Sequence, residues 1–123
     1  MAEQSLETRE YKSGEIIFSQ GDTGDDAFIV ESGQIEIARG NGNAELVIAT
    51  IDEGGMFGEM ALMDDSPRMA TARAMRKTKC IVIPKRAFSK LMQGAHPVLR
   101  VVLNTMMQRV RGKASKTVGT TLG

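Results

Sequence analysis

Apolar residues come in short runs along most of the chain, and glycines separate the runs. Within residues 27–38, apolar and polar positions alternate with a period of two. Ile35 and Ile37 therefore fall on one face of an extended segment, with Glu36 on the other. Gly33 interrupts this segment, so we expect a turn or bulge there between two strands.

Similar runs predict further strands at residues 16–18, 44–51, 71–75 and 79–83. The Gly-Asn-Gly-Asn sequence at residues 40–43 predicts a hairpin turn, because glycine and asparagine tolerate the positive φ angles of tight turns. Short strands joined by glycine-rich turns are typical of an antiparallel sandwich or barrel. The pattern thus indicates a fold that is mainly β.

A helical pattern replaces this alternation after Pro84. Residues 85–93 predict a short helix, and Pro97 is well placed in the first turn of a second helix that runs to Arg111. Helical spacing puts one apolar stripe on the second helix, formed by Leu99, Val102, Leu103, Met106 and Val110. We therefore expect a β-barrel followed by two helices.

Length and composition fit one globular domain, since the chain has 123 residues, of which 41% are hydrophobic and 25% charged. We assign the domain to residues 10–112, with a short N-terminal extension at residues 1–9. Residues 113–123 are rich in glycine and threonine and are expected to be a disordered tail.

Charge and hydropathy narrow the range of partners. The net charge is +1, from 16 basic and 15 acidic residues, which gives no electrostatic footprint for nucleic acid binding by this chain alone. No apolar run approaches the roughly 20 residues of a membrane span, and no signal peptide is evident, so we predict a cytoplasmic protein. The single cysteine, Cys80, is expected to be a buried small hydrophobe.

Residues 57–72 do not follow the strand pattern. Gly58 allows a ligand to approach the backbone closely, and residues 59–63 fit one or two helical turns whose unpaired N–H groups attract anions. Arg68, after an Asp-Asp-Ser-Pro turn, supplies a guanidinium suited to phosphate. Ala70 and the neighbouring small residues leave room for a ring system.

This segment resembles the phosphate-binding cassette of the cyclic nucleotide-binding domain family, which includes protein kinase A regulatory subunits, catabolite activator proteins and cyclic nucleotide-gated channels. The family pattern F-G-E-x-A-L, a short turn and P-R-x-A-T matches residues 57–71, called the cassette below. Upstream, Gly14, Gly21 and Gly33 resemble the glycines of the family's β-roll. The resemblance covers residues 10–112 and implies an antiparallel β-roll, a jelly-roll-like barrel, with a short cassette helix and two C-terminal helices.

The resemblance also implies residue roles. Arg68 would pair the cyclic phosphate, backbone N–H groups at Met60 and Ala61 would add hydrogen bonds, and Glu59 would accept one from the ribose 2′-hydroxyl. The implied ligand-binding residues are Phe57, Gly58, Glu59, Met60, Ala61, Pro67, Arg68, Met69, Ala70 and Thr71. Taken as an isolated pair, Glu59 and Arg68 would instead fit a surface salt bridge.

Met69 and the second helix bear on the base. In the family, a threonine or serine after the arginine favours cyclic GMP, and Met69 has no hydroxyl, so we expect cyclic AMP to be preferred with cyclic GMP as the second ligand. Met106, Arg109 and Val110 are candidates for a lid over the base. The alternative is that the apolar stripe only packs on the barrel.

A non-catalytic sensor, in which ligand binding moves the C-terminal helix, fits these features best. One histidine, one cysteine and no carboxylate–histidine cluster predict no catalytic residues, no metal and no cofactor besides the nucleotide ligand. A helix-turn-helix is not expected in the few residues after Arg111. The alternatives are a cassette-bearing protein-interaction module or the sensor fragment of a larger channel, kinase or transcription factor. An effector protein or a fused effector domain is the expected partner.

Overall fold

The computed structural model describes residues 6–62 and 65–106. Eight strands lie in this part of the chain: β1 (Thr8–Tyr11), β2 (Ile16–Phe18), β3 (Asp26–Ser32), β4 (Ile35–Arg39), β5 (Leu46–Ile51), β6 (Met56–Phe57), β7 (Thr71–Ala74) and β8 (Thr78–Pro84). Two short 3₁₀ helices cover Gly42–Ala44 and Glu59–Leu62, and the second is called the site helix below. Helix α1 spans Lys85–Gln93, and α2 covers residues 97–106, where the described chain ends.

The strands form two four-stranded antiparallel sheets, with the orders β1-β8-β3-β6 and β2-β7-β4-β5. Both sheets contribute to one core, since Val30 and Cys80 come from the first sheet and Ile35 and Ala72 from the second. This arrangement confirms the predicted mainly-β, roll-like fold with flanking helices, although the two sheets do not join into a closed barrel. No helix in the described residues is long and apolar enough to cross a bilayer.

Small and aliphatic side chains fill the core, together with a group of phenylalanines. The rings of Phe28 and Phe57 stack with their centroids 5.1 Å apart. Cys80 is fully buried among them, as the sequence predicts, and burial raises the pKa of its thiol to about 11. The buried Thr78 hydroxyl accepts a hydrogen bond from the Gln34 amide and donates one to the Arg76 carbonyl, so this polar group is satisfied.

Gly33 lies in the turn that joins the two sheets, as predicted, with φ of 102°. A Cβ atom at Gly33 would lie 2.6 Å from the Lys77 carbonyl oxygen, so both the left-handed backbone and the close approach require glycine. The predicted hairpin at residues 40–43 also forms, and the 3₁₀ turn at Gly42–Ala44 delays the start of β5 to Leu46.

Two strands differ from the sequence expectation. β1 includes Thr8 and Arg9, which the sequence analysis assigned to an N-terminal extension, and it pairs along β8 with Thr8 opposite Ile81. Its residues are mostly polar and exposed because it is an edge strand, so no alternation marks it. β6 has only two residues, Met56 and Phe57, and Phe57 is also the first residue of the cassette.

The C-terminal helices occupy the expected positions, and α1 spans the predicted residues. Phe88 of α1 packs against a small buried cluster that contains Ala27 and Leu62, which ties α1 to the site helix. The predicted apolar stripe on α2 is not buried against the sheets. Leu99, Val102 and Met106 are exposed, and Leu103 is half-buried.

Candidate functional site

A cavity of about 300 Å³ opens between the second sheet, the site helix and the loop that leads into β7. All of the predicted ligand-binding residues except Thr71 line it: Phe57, Gly58, Glu59, Met60, Ala61, Pro67, Arg68, Met69 and Ala70. The sequence reasoning did not identify the remaining lining residues: Phe18, Ile37, Arg39, Ile48, Ala49, Ile51, Met56 and Ser66. The cassette therefore forms one side of the cavity, and the sheet forms the other.

Thr71 has a structural position instead. It is buried at the start of β7, and its hydroxyl oxygen accepts a hydrogen bond of 2.9 Å from the Gln20 amide. Thr71 thereby fixes the chain after β2 against β7. Phe57 belongs to both the cavity wall and the core, because it lines the cavity and its ring also stacks on Phe28.

The loop between β2 and β3 holds Arg68 by its backbone. The Arg68 amide donates to the Asp22 carbonyl at 2.8 Å, and the Arg68 carbonyl accepts from the Gly21 amide at 2.8 Å. Gly24 lies directly beside the guanidinium, where a Cβ atom would be 2.7 Å from Nη2. The glycine- and aspartate-rich turn thus fits around the arginine.

Neutral groups surround the guanidinium itself. Nη2 donates to the Asp26 carbonyl at 2.8 Å and Nη1 to the Gly58 carbonyl at 3.4 Å, and Cζ lies 4.1 Å from the centroid of the Phe18 ring. Nε is buried without a hydrogen-bond partner. No ion pair to Arg68 occurs among the described residues, so its positive charge is held in place without direct neutralisation.

Burial lowers the pKa of Arg68, because water solvates the cation less well there. The carboxylates of Asp26, Asp25 and Asp22 act in the opposite direction through their longer-range field. Since a partly desolvated cation gains most from a hydrogen-bonded anion, this wall of the cavity favours a phosphate or carboxylate.

Glu59 opens the site helix and lines the cavity, with 9% of its surface exposed. The ion pairs found within the described ranges do not join Glu59 to Arg68, so these side chains do not form the surface salt bridge considered above. Glu59 and Arg68 thus both line the cavity without pairing to each other.

The position directly before the site helix requires a glycine. Gly58 has φ of 73°, and a Cβ atom there would lie 3.0 Å from Nη1 of Arg68. The predicted helical turns do form from Glu59 to Leu62. In this structure the Ala61 amide donates to the Gly58 carbonyl at 3.2 Å, so a ligand would have to compete for that donor.

The opposite wall is mainly apolar and comes from β4 and β5. A β-bulge places Val47 opposite Ala38 and Ala49 opposite Ile37, so Ile48 is the extra residue, and it lines the cavity. The period-two pattern that predicted β4 also carries the signal for this wall, because Ile37 and Arg39 follow Ile35 on one face.

The predicted lid residues are only partly described. Met106 on α2 is 57% exposed and does not line the cavity. Arg109 and Val110 lie outside the described residues. Met69, the residue expected to influence base preference, lines the cavity with half of its surface exposed.

Comparison with known proteins agrees with this geometry. The profile of the cyclic nucleotide-binding domain matches residues 8–95. The cAMP-dependent protein kinase regulatory subunit of Blastocladiella emersonii is 38% identical over 89 residues, which are 72% of this chain and 22% of that protein. The chain thus spans less than a quarter of that relative's length.

Two solved structures with a similar fold contain bound cAMP. The cAMP-bound form of the EAL enzyme Bd1971 aligns with a TM-score of 0.69 and 30% identity, over 87% of this chain and 29% of that one. The regulatory domain of Toxoplasma gondii PKA, co-crystallised with cAMP, aligns with a TM-score of 0.70 and 27% identity, over 85% of this chain and 39% of the other.

Proposed function

Because the chain belongs to the cyclic nucleotide-binding domain family, we propose that it is a non-catalytic regulatory domain whose preferred ligand is cyclic AMP. The observation that carries this proposal is the half-buried Arg68 guanidinium, which has a buried Nε without a hydrogen-bond partner. A cyclic phosphodiester has a single negative charge and oxygen acceptors, and it would supply the anion that this cation lacks.

Glu59 fits the ribose in the same pose. Cyclisation of the 3′ and 5′ oxygens leaves the 2′-hydroxyl as the only free hydroxyl of the ribose, and a carboxylate is a strong acceptor for it. Glu59 and Arg68 line the same cavity, so one ligand would contact both. Each charge-assisted hydrogen bond would contribute about 1.5–3 kcal/mol.

The preference for adenine follows from Met69, which presents no hydroxyl to a guanine ring. Its side chain and the apolar residues Ile37 and Ile48 form a surface on which either purine would pack. The expected preference over cyclic GMP is therefore modest, on the scale of one hydrogen bond.

Ligand binding would be transmitted through α2. A ligand shifts a conformational equilibrium only through contacts that differ between the two states. Val102 and Met106 are 45% and 57% exposed in this structure, and closure of α2 over the base would bury them against the ligand, with Arg109 and Val110 following.

The effector is proposed to be a protein partner or another domain of the same polypeptide. The relative from Blastocladiella emersonii is a kinase regulatory subunit, and Bd1971 is an enzyme in which the matched part is 29% of the chain. Both fit a sensor that acts on something outside itself. A cytoplasmic location stays a prediction.

The proposal is tested by titration calorimetry with cyclic AMP, cyclic GMP and the ring-opened 5′-AMP. We expect cyclic AMP to bind with one-to-one stoichiometry, and Arg68→Ala to weaken it at least about tenfold, since a charge-assisted hydrogen bond is lost. Arg86→Ala is the matched control, because Arg86 is exposed on α1 and does not line the cavity.

Circular dichroism would show that both variants remain folded. Unchanged affinity in a folded Arg68→Ala protein would contradict the assignment of the phosphate site. Absence of cyclic nucleotide binding by the wild type would instead favour the protein-interaction module.

A further inference from the structure

Arg39 is a second arginine in the cavity wall, and the cassette pattern does not include it. It is the last residue of β4, half-buried, and lines the same cavity as Arg68. Its backbone is well fixed, because Arg39 pairs with Leu46 across the hairpin and the next amide, Gly40, donates to the Gln20 side chain at 2.8 Å.

The Arg39 guanidinium forms no hydrogen bond or ion pair with any described residue. On the neighbouring strand, Arg73 shows the contrasting case, with Glu36 at 2.8 Å and Glu45 at 3.1 Å. Carboxylates are therefore available nearby on β4 and before β5, yet they pair with Arg73. Arg39 keeps its five N–H donors for solvent or for a molecule in the cavity.

The register of the sheet places Arg39 beside the end of the cassette. Ile37 is opposite Ala72 and Ala38 is opposite Thr71, so continuing the antiparallel register brings Arg39 beside Ala70. Ala70 is two residues beyond Arg68 and belongs to the part of the cassette expected to face the ring system. Ile37 and Arg39 lie on the same face of β4, so a purine packed on Ile37 and Ile48 would have an edge within reach of the Arg39 guanidinium.

Arginine discriminates between the two purines by its donors. Guanine presents the adjacent acceptors O6 and N7 on one edge, which a guanidinium binds with two hydrogen bonds, whereas adenine presents N7 beside the N6 amino donor. We propose, resting on the function proposed above, that Arg39 binds the O6/N7 edge of guanine and gives this cavity substantial affinity for cyclic GMP. Met69 then disfavours guanine while Arg39 favours it, so the preference for cyclic AMP over cyclic GMP is small.

The test measures dissociation constants of cyclic AMP, cyclic GMP and 7-deaza cyclic GMP, which lacks N7. We expect Arg39→Met to weaken cyclic GMP binding about tenfold, the size of a lost bidentate base contact, and to change cyclic AMP binding less than about threefold. The wild type should bind 7-deaza cyclic GMP more weakly than cyclic GMP, and this difference should vanish in Arg39→Met. Arg86→Met is the control on an exposed arginine outside the cavity.

Arg39→Lys, which keeps the charge without the two-pronged donor geometry, separates base recognition from general attraction of the phosphate. We expect it to resemble Arg39→Met for cyclic GMP. Equal weakening of both nucleotides in Arg39→Met, or no weakening of cyclic GMP, would overturn the role of Arg39 while the proposed function stands. A wild type that binds cyclic AMP but no cyclic GMP would also overturn it, and a wild type that binds neither would overturn both proposals.

Discussion

At the scale of single residues, two arginines illustrate how environment decides what one side chain does. Arg73 is held by Glu36 and Glu45, and these acidic partners raise its pKa, so its charge is used within the sheet. Arg68 is held by carbonyl oxygens and an aromatic ring, and burial lowers its pKa. Only an arrangement of the second kind leaves the cation available to an incoming anion.

Glu59 gives a residue-scale prediction. We expect 2′-deoxy cyclic AMP to bind the wild type about tenfold more weakly than cyclic AMP, because the carboxylate loses a charge-assisted hydrogen bond from the ribose. Most of that gap should vanish in Glu59→Ala, and Glu59→Gln, which keeps an uncharged acceptor, should fall between them. Calorimetry on the resulting double-mutant cycle measures the coupling. Equal affinities of the two nucleotides for the wild type would contradict the role.

Most of the cassette residues that line the cavity could be named from the sequence, because they lie in one contiguous segment. Gly58, Glu59 and Arg68 are uncommon in combination at that spacing, and all three line the cavity. Arg39 and Ile48 were missed, since their contribution depends on which face of a strand points inward. A β-bulge at Ile48 changes that face locally, and the sequence carries no mark of it.

At the scale of elements, the loop from β2 to β3 acts as a support for the cassette. It contacts the Arg68 backbone on both sides through Gly21 and Asp22, and Gly24 leaves space for the guanidinium. From the sequence, only Gly21 of this loop was singled out, as one of the glycines that resemble those of the family's β-roll. Its closeness to Arg68 arises from the pairing of β2 with β7, which is a contact between distant parts of the chain.

Gly24→Ala tests this support. A Cβ atom there would lie 2.7 Å from Nη2 of Arg68, so we expect the flexible guanidinium to move and cyclic AMP affinity to fall about fivefold, with part of a charge-assisted hydrogen bond lost. The melting temperature should change little, because the displaced group is the end of a side chain. Gly94→Ala is the matched control, since its Cβ would meet only ordinary contacts at 3.9 Å or more. Wild-type affinity in Gly24→Ala would show that Arg68 does not need this position.

Helix α1 was predicted with its observed bounds, whereas β1 was not recognised. α1 has an apolar face and lies between Pro84 and Gly94, which are strong boundary signals. β1 has the sequence Thr-Arg-Glu-Tyr, and Arg9 forms an ion pair with Glu7 just outside it. A polar edge strand is stabilised by its hydrogen bonds to β8 rather than by a buried face, so hydrophobic periodicity gives no indication of it.

At the scale of the whole molecule, the proposed coupling would run from the cavity through the C-terminal helices. α1 contacts the site helix through Phe88 and Leu62, so a displacement of the site helix would be felt at the start of the C-terminal helices. α2 carries exposed apolar residues that closure over a ligand would cover. The two observations together favour coupling through the C-terminal end of the domain.

Truncation tests that coupling. Removal of all residues after Gln108 deletes Arg109 and Val110, and we expect faster dissociation of cyclic AMP with little change in the association rate, because a lid mainly retains bound ligand. Truncation after Gly112 is the matched control, since it removes only the predicted tail. Stopped-flow displacement of a fluorescent cyclic AMP analogue measures both rates. Identical dissociation rates for the two truncated proteins would rule out a lid role for Arg109 and Val110.

The pairing of β1 with β8 also bears on how such a domain is shared among proteins. The chain enters the first sheet at Thr8, directly beside Ile81, and leaves the same sheet at Pro84. The entry to the roll therefore lies close to the start of α1, which follows β8 directly. A kinase regulatory subunit and an EAL enzyme each contain a similar unit as a minor part of their length. Whatever such a unit is joined to before Thr8 therefore lies near the first of the C-terminal helices.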